Sequence, residues 1–176
     1  MKKWQKLSEE ILHRNPWWTY KRDDVLLDGK EGDYYYVDGV NMGMTVPILD
    51  DGRIIMVKQY RYLFNRESIE FPGGNKKGEQ TYEEGARTEL EEEAGYRAGK
   101  LEFVGECAPY NGISDEITKV YLARDLKKTK SRPDETEEFE ILFKTTEEID
   151  KMIEAGEIWD GQTIVAWCLA RKYLIK

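Results

Sequence analysis

Between Glu89 and Glu93 the chain reads ELEEE, a run dense in carboxylates. On a helix turning ~100° per residue, Glu89 and Glu93 fall ~40° apart on successive turns, with Glu92 ~60° to the other side of Glu89. Glu91 points elsewhere. Ala86, Leu90 and Ala94 recur every four residues beside this acidic stripe, as the core side of a helix does. Like charges at such spacing repel by ~0.2–0.5 kcal/mol in an isolated helix. A solvated acidic face is the ordinary use of a charge run. Here the stripe adjoins the core side and follows Gly73-Gly74, where a backbone without Cβ allows close approach of a ligand. Hard carboxylate oxygens in that setting suit Mg²⁺ or Mn²⁺, which in turn hold phosphate oxygens.

Composition narrows the alternatives. His13 is the single histidine, which excludes a two-histidine metal site within one chain. Cys107 and Cys168 are too few for a disulfide framework, sit in apolar surroundings and read as buried small hydrophobes. Acidic residues number 35 against 27 basic ones, so a nucleic-acid backbone is repelled. The 176 residues, 40% hydrophobic and 35% charged, fit one globular domain with a real core. No apolar run approaches a membrane span, and MKKWQKLSEE is no signal peptide. A reduced, cytoplasmic setting is expected.

These groups must be positioned by recognisable elements. Residues 17–26 and 33–40, aromatic and β-branched, predict a hairpin around LDGKEG. Residues 43–49 and 53–60 flank Asp50-Asp51-Gly52, a second hairpin signal. A short extended stretch from Ser68 to Phe71 stops at Pro72. Thr81 with Glu84 forms a capping box that opens the acidic helix, and Gly95 is placed to end it. Strands are expected at about 101–106, 117–123 and 138–144, then helices at about 146–155 and 162–174. His13 reads as an exposed helix or loop residue. The order predicts an α/β fold, a mixed sheet between helices preceded by a small β-rich N-terminal piece.

Gly74 to Tyr96 resembles the Nudix box, Gly-x5-Glu-x7-Arg-Glu-apolar-x-Glu-Glu-x-Gly-apolar, with Gly74, Glu89, Leu90, Glu92, Glu93, Gly95 and Tyr96 in register. Val57-Lys58-Gln59-Tyr60-Arg61, Glu70-Phe71-Pro72-Gly73-Gly74, Ser114-Asp115-Glu116, Asn15-Pro16-Trp17-Trp18 and Gly156-Glu157-Ile158 are similar to the ADP-ribose and nucleoside-diphosphate-sugar pyrophosphatase branch. Two positions depart: Gln80 stands for the first box glutamate and Thr88 for the arginine. In the family those two brace the loop against the helix. An alternative register, Gly73-x5-Glu79-x7-Arg87, would need an extra residue before Glu89, so a continuous helix with a replaced brace is expected.

The resemblance implies a Nudix-type α/β/α sandwich over residues 41–176 and an N-terminal β-rich dimerisation arm over residues 1–40. It implies metal binding by Glu89, Glu93 and the backbone of Gly73, with Glu92 as a further ligand or catalytic carboxylate. The cation would supply Lewis acidity and activate the attacking water. Glu116 is the candidate base, with Asp115 and Glu70 as alternatives; Asp115 and Glu116 otherwise only decorate a turn. Glu70 is alternatively a water holder near the metal or a strand-edge charge. Arg61 suits a diphosphate oxygen or a surface salt bridge. Trp17 and Trp18 suit base stacking, worth ~1–3 kcal/mol per base, or ordinary packing; Arg22 and Tyr36 are weaker candidates. The implied activity is Mg²⁺- or Mn²⁺-dependent hydrolysis of nucleoside diphosphate sugars (ADP-ribose, GDP-mannose type) to a nucleoside monophosphate and a sugar phosphate, by a homodimer whose arms are possible exchange elements. A catalytically silent nucleotide sensor, or an enzyme for dinucleoside polyphosphates or triphosphates, stays open.

Overall fold

The computed structural model describes residues 1–39, 41–132 and 137–174. Val40, the end of the first expected hairpin, lies outside them. In chain order the elements are β1 (Gln5–Arg14), β2 (Thr19–Leu27), β3 (Lys30–Asp38), β4 (Met42–Pro47), β5 (Ile54–Arg61), a 3₁₀ turn (Tyr62–Phe64), β6 (Arg66–Glu70), β7 (Gly73–Asn75), α1 (Tyr82–Ala94), β8 (Tyr96–Cys107), β9 (Thr118–Lys128), β10 (Glu140–Lys144), α2 (Thr146–Glu154) and α3 (Gly161–Arg171). They form two compact units, Met1–Asn41 with Ala108–Ile117, and Met42–Cys107 with Thr118–Lys176.

The first unit is built on an antiparallel sheet of order β1-β2-β3. The β2–β3 hairpin turns through Asp28 and Gly29, both with positive φ, as a tight two-residue hairpin turn requires. β1 carries little sequence signal, because polar residues break its alternation and every residue is exposed. His13 therefore sits in a strand rather than a helix or loop. Segment 108–117 joins this unit through Val37, whose N–H donates to Ile113 O at 2.8 Å.

The second unit is α/β. Its larger sheet runs β7-β4-β9-β8 and its smaller one β10-β5-β6. β4 and β9 are parallel while β8 and β9 are antiparallel, so the larger sheet is mixed, as expected. The Asp50–Gly52 turn forms, with Leu49 N–H donating to Arg53 O at 2.8 Å. Its arms do not make the expected hairpin, however. They meet only at the Ile48–Ile54 bridge, and then β4 pairs with β9 and β7 while β5 pairs with β6 and β10. Met44 to Ile48 of the first arm and Ile54 to Val57 of the second are buried on both faces, so nothing in their local pattern chooses a partner.

The period-2 alternation of β5 sorts the core into layers. Ile54 and Met56 pack with Ile149, Met152, Ala166 and Trp167 of α2 and α3. Ile55 and Val57 pack with Leu90 and Ala94 of α1. That is the expected sandwich of sheet between helices. α1 starts at the Thr81–Glu84 capping box and ends at Gly95 in the left-handed region, both where the sequence places them. α2 opens with a second capping box, Thr145–Glu148. The cysteines differ from expectation: Cys107 is half-buried and Cys168 exposed. α3 turns Ala166, Trp167 and Ala170 inward, leaving position 168 on the solvent side.

Candidate active site

α1 sets the site. Its apolar stripe buries Ala86, Leu90 and Ala94, and that fixes the rotation of the helix. Glu93 is thereby carried inward to 6% exposure, where its Oε2 accepts the Gly73 N–H at 3.0 Å. Glu89, one turn earlier, lies against Gly74. A Cβ on Gly74 would come within 2.7–2.9 Å of the Glu89 carboxyl atoms, so this position takes glycine for close approach. The loop that supplies both glycines is itself held. Thr45 N–H donates to Pro72 O at 2.8 Å, and Phe71 N–H donates to Thr163 Oγ1 at 3.3 Å.

Burial first, and then the neighbouring charge of Glu89, raise the proton affinity of Glu93 well above that of an ordinary glutamate. The Gly73 N–H opposes the shift, while Glu137 and Glu70 add to it. Carboxylates that repel one another at a buried position are relieved by a cation. The donors present are hard oxygens: Glu89, Glu93 and the carbonyls of the glycine loop. Among the described residues no three metal-binding side chains gather into a closed cage. Mg²⁺ asks for less, since it commonly takes one or two carboxylates and completes its shell with water and phosphate. The residues fit such an ion.

Glu92 departs from the stripe geometry. Its carboxylate pairs with Lys77 Nζ at 3.1 Å and lines a cavity with Thr88, Glu91 and Arg132. A position on one helix face did not reveal the lysine that the preceding loop brings to it. Glu91 does point elsewhere, to Arg97 at 2.8 Å. The brace is replaced as expected. Gln80 Nε2 donates to Thr88 Oγ1 at 3.4 Å, and Gln80 Oε1 accepts the Lys77 N–H at 2.8 Å. α1 is continuous, and Arg87 binds Glu83 and the Ala98 carbonyl instead of joining the box.

Arg61 and Glu70 are brought together rather than acting separately. Glu70 is 5% exposed. Arg61 Nε donates to its Oε1 at 2.7 Å, the Nη2 donates to the other oxygen, and Gln59 Nε2 adds a contact at 3.4 Å. The register pairs Glu70 with Val57, four residues before Arg61 and on the same face of β5, so the arginine side chain reaches back along the strand to the carboxylate.

The remaining candidates lie in the first unit. Asn15 Oδ1 accepts both the Trp17 and Trp18 N–H groups, at 2.9 and 3.0 Å, and this turn leaves both indoles exposed. Trp18 tilts against His13 with centroids 5.6 Å apart. Arg22 pairs with Glu10 at 3.1 Å, and the Tyr36 hydroxyl donates to Asp23 at 3.4 Å. Asp115 Oδ1 accepts the Gly39 N–H at 2.7 Å, and the Glu116 N–H donates to Ser114 Oγ at 3.2 Å. Glu137, whose charge adds to the rise at Glu93, is not singled out by the sequence. It stands in the acidic stretch before β10, and nothing in its spacing ties it to α1.

A model of the NUDIX domain matches residues 40–167, and a model of the nucleoside diphosphate sugar hydrolase N-terminal domain matches residues 4–37. The chain belongs to the NUDIX domain family, as a hydrolase of the pyrophosphatase kind. It is 37% identical over 150 residues to the ADP-ribose pyrophosphatase of Bacillus subtilis (strain 168), covering 84% of this chain and 80% of that one. It is 33% identical over 125 residues to a methanol dehydrogenase activator of Bacillus methanolicus, covering 69% of this chain and 67% of the relative. The crystal structure of an ADP compounds hydrolase shares the fold, with a TM-score of 0.86 at 22% identity over 98% of this chain and 94% of that one.

Proposed function

We propose that the chain hydrolyses the diphosphate of nucleoside diphosphate sugars, of the ADP-ribose and GDP-mannose type, to a nucleoside monophosphate and a sugar phosphate. The observation that carries this reading is Glu93, a buried carboxylate set beside Glu89 against two loop glycines. The match of residues 4–37 to a sugar-nucleotide hydrolase domain and the names of the relatives support the substrate class.

Glu89, Glu93 and the Gly73 carbonyl would hold Mg²⁺ or Mn²⁺, with Glu92 joining them only by exchanging Lys77. When bound, the cation supplies Lewis acidity at the diphosphate oxygens. Glu70 aims the Arg61 guanidinium, whose remaining N–H groups suit a diphosphate oxygen. Glu116 is the proposed base for the attacking water, with Asp115, Glu70 and Glu137 as its rivals. Trp17 and Trp18 offer exposed rings to the base. The silent-sensor reading draws on the lost charged brace; the Gln80–Thr88 bond holds the same loop and helix, and that removes its motive.

The N-terminal arm, residues 1–40, is assigned to dimerisation and to the base pocket of a neighbouring copy, and residues 41–176 to catalysis. We place the enzyme in the cytoplasm; no described helix is long and apolar enough to cross a membrane.

The test is a panel of ADP-ribose, GDP-mannose, a dinucleoside polyphosphate and nucleoside triphosphates with Mg²⁺ or Mn²⁺, reading monophosphate release. The sugar nucleotides are expected to turn over fastest. Faster cleavage of polyphosphates, or tight binding without turnover, contradicts the proposal. In the same assay Glu116→Gln should lower kcat more than Glu137→Gln; the reverse order moves the base to Glu137.

A further inference from the structure

The last turn of α1 carries Glu92 and Glu93, and the carbonyls of a last turn have no partners within their own helix. Gly95 N–H serves those of Glu91 and Leu90. A strap that follows β9 serves those of Glu92 and Glu93 and of the capping Gly95. Arg132 N–H donates to Glu92 O at 2.9 Å and Thr129 N–H to Gly95 O at 2.7 Å. The Ser131 hydroxyl lies between two carbonyls, 2.7 Å from Glu92 O and 3.2 Å from Glu93 O. Among the described residues of the strap, Ser131 is the one that reaches Glu93 O. The fit is close, since a Cβ on Gly95 would stand 2.9 Å from Ser131 N. Gly95 is thus bound twice, by its left-handed backbone, φ 70°, and by the strap against it.

We infer that Ser131 is a positioning residue for the metal-binding carboxylate: its hydroxyl holds the last turn of α1 closed, and so keeps Glu93 against the Gly73 N–H. This rests on the reading of Glu93 as a metal ligand. Without the hydroxyl both carbonyls lose the Ser131 contact; Glu92 O keeps the Arg132 N–H, and Glu93 O has no second bond to the strap among the described residues. The last turn then opens more often, and each opening moves the Glu93 carboxylate out of its place.

The experiment compares wild type with Ser131→Ala, Ser131→Thr and Glu93→Gln. Mn²⁺ affinity is read by electron paramagnetic resonance without substrate, and hydrogen exchange of the α1 C-terminal amides alongside it. Ser131→Ala should weaken Mn²⁺ binding about five- to tenfold, speed exchange in the last turn, and lower kcat more than it changes KM for the sugar nucleotide. Ser131→Thr, which keeps a hydroxyl, should recover most of both. Mn²⁺ affinity within twofold of wild type in Ser131→Ala overturns the inference, even if the variant melts earlier. Equal loss in the alanine and threonine variants also overturns it, because the hydroxyl would not be the cause. If Glu93→Gln binds Mn²⁺ like wild type, the reading of Glu93 fails instead, and the two failures are told apart.

Discussion

At Gly74 the requirement is space for a neighbour. The Glu89 carboxyl group occupies the volume a Cβ would take. A carboxylate is the far end of a flexible side chain, so it yields before the backbone does. Gly74→Ala is therefore expected to lower activity at least tenfold while the melting temperature moves by only a few degrees, ~1 kcal/mol in a domain of this size. Steady-state rates and thermal unfolding of the same sample check this; a large loss of stability with normal activity per folded molecule speaks against it. Glu89 and Glu93 were legible in the sequence because helix periodicity ties them to Leu90 and Ala94. Glu92 and Arg61 were legible only as charges. Their partners, Lys77 and Glu70, come from a loop and a neighbouring strand, and no local pattern announces either. Glu137 went unseen for the same reason.

Among elements, α2 and α3 are joined through one carboxylate. Asp150 accepts from Arg171 Nε at 2.8 Å and from the Trp167 indole at 2.8 Å. The Arg171 guanidinium first, and Trp167 after it, hold Asp150 below the ordinary aspartate value of 3.8 against the pull of burial. The folded state thus favours ionised Asp150. Its contribution is complete above pH 3.8 and is lost as pH falls from there through the lower folded value. Asp150→Asn should make unfolding less steeply dependent on pH below 3.8, measured by denaturant titrations at several acid pH values; parallel curves for the two proteins would remove this role. The helices themselves were readable, since capping boxes and left-handed glycine ends are local chemistry. Strand pairing was not. β4 and β5 are buried on both faces, and the partners of such strands are chosen by the whole sheet. β1 was missed because its residues are all exposed and do not alternate.

For the whole molecule, the open question is what covers the N-terminal sheet. β1 exposes Leu7, Ile11 and Leu12, with Trp4 just before it and Trp17 and Trp18 just after. Such a concentration of large apolar side chains is unusual on a surface with no partner. Light scattering at micromolar concentration is expected to give twice the chain mass of 20.7 kDa. Removal of residues 1–40 should yield monomer and raise KM for the sugar nucleotide. A full-length monomer with an unchanged KM would contradict the proposed arm. The acidic excess of the chain takes its meaning at this scale. Many of the carboxylates meet lysines and arginines at the surface, where such pairs contribute little. The pair at Glu89 and Glu93 is different, because Glu93 is buried among other acids.

That difference is tested most directly by Glu93→Gln, an isosteric change that keeps an oxygen for the Gly73 N–H but removes the charge. Monophosphate release from ADP-ribose is measured across a Mg²⁺ titration for wild type and variant, at matched folded concentration. The expected result is a fall in kcat of at least a hundredfold, ~2.7 kcal/mol at the transition state, with a higher Mg²⁺ requirement. Retention of wild-type rates at the same Mg²⁺ concentration would contradict the account of this site.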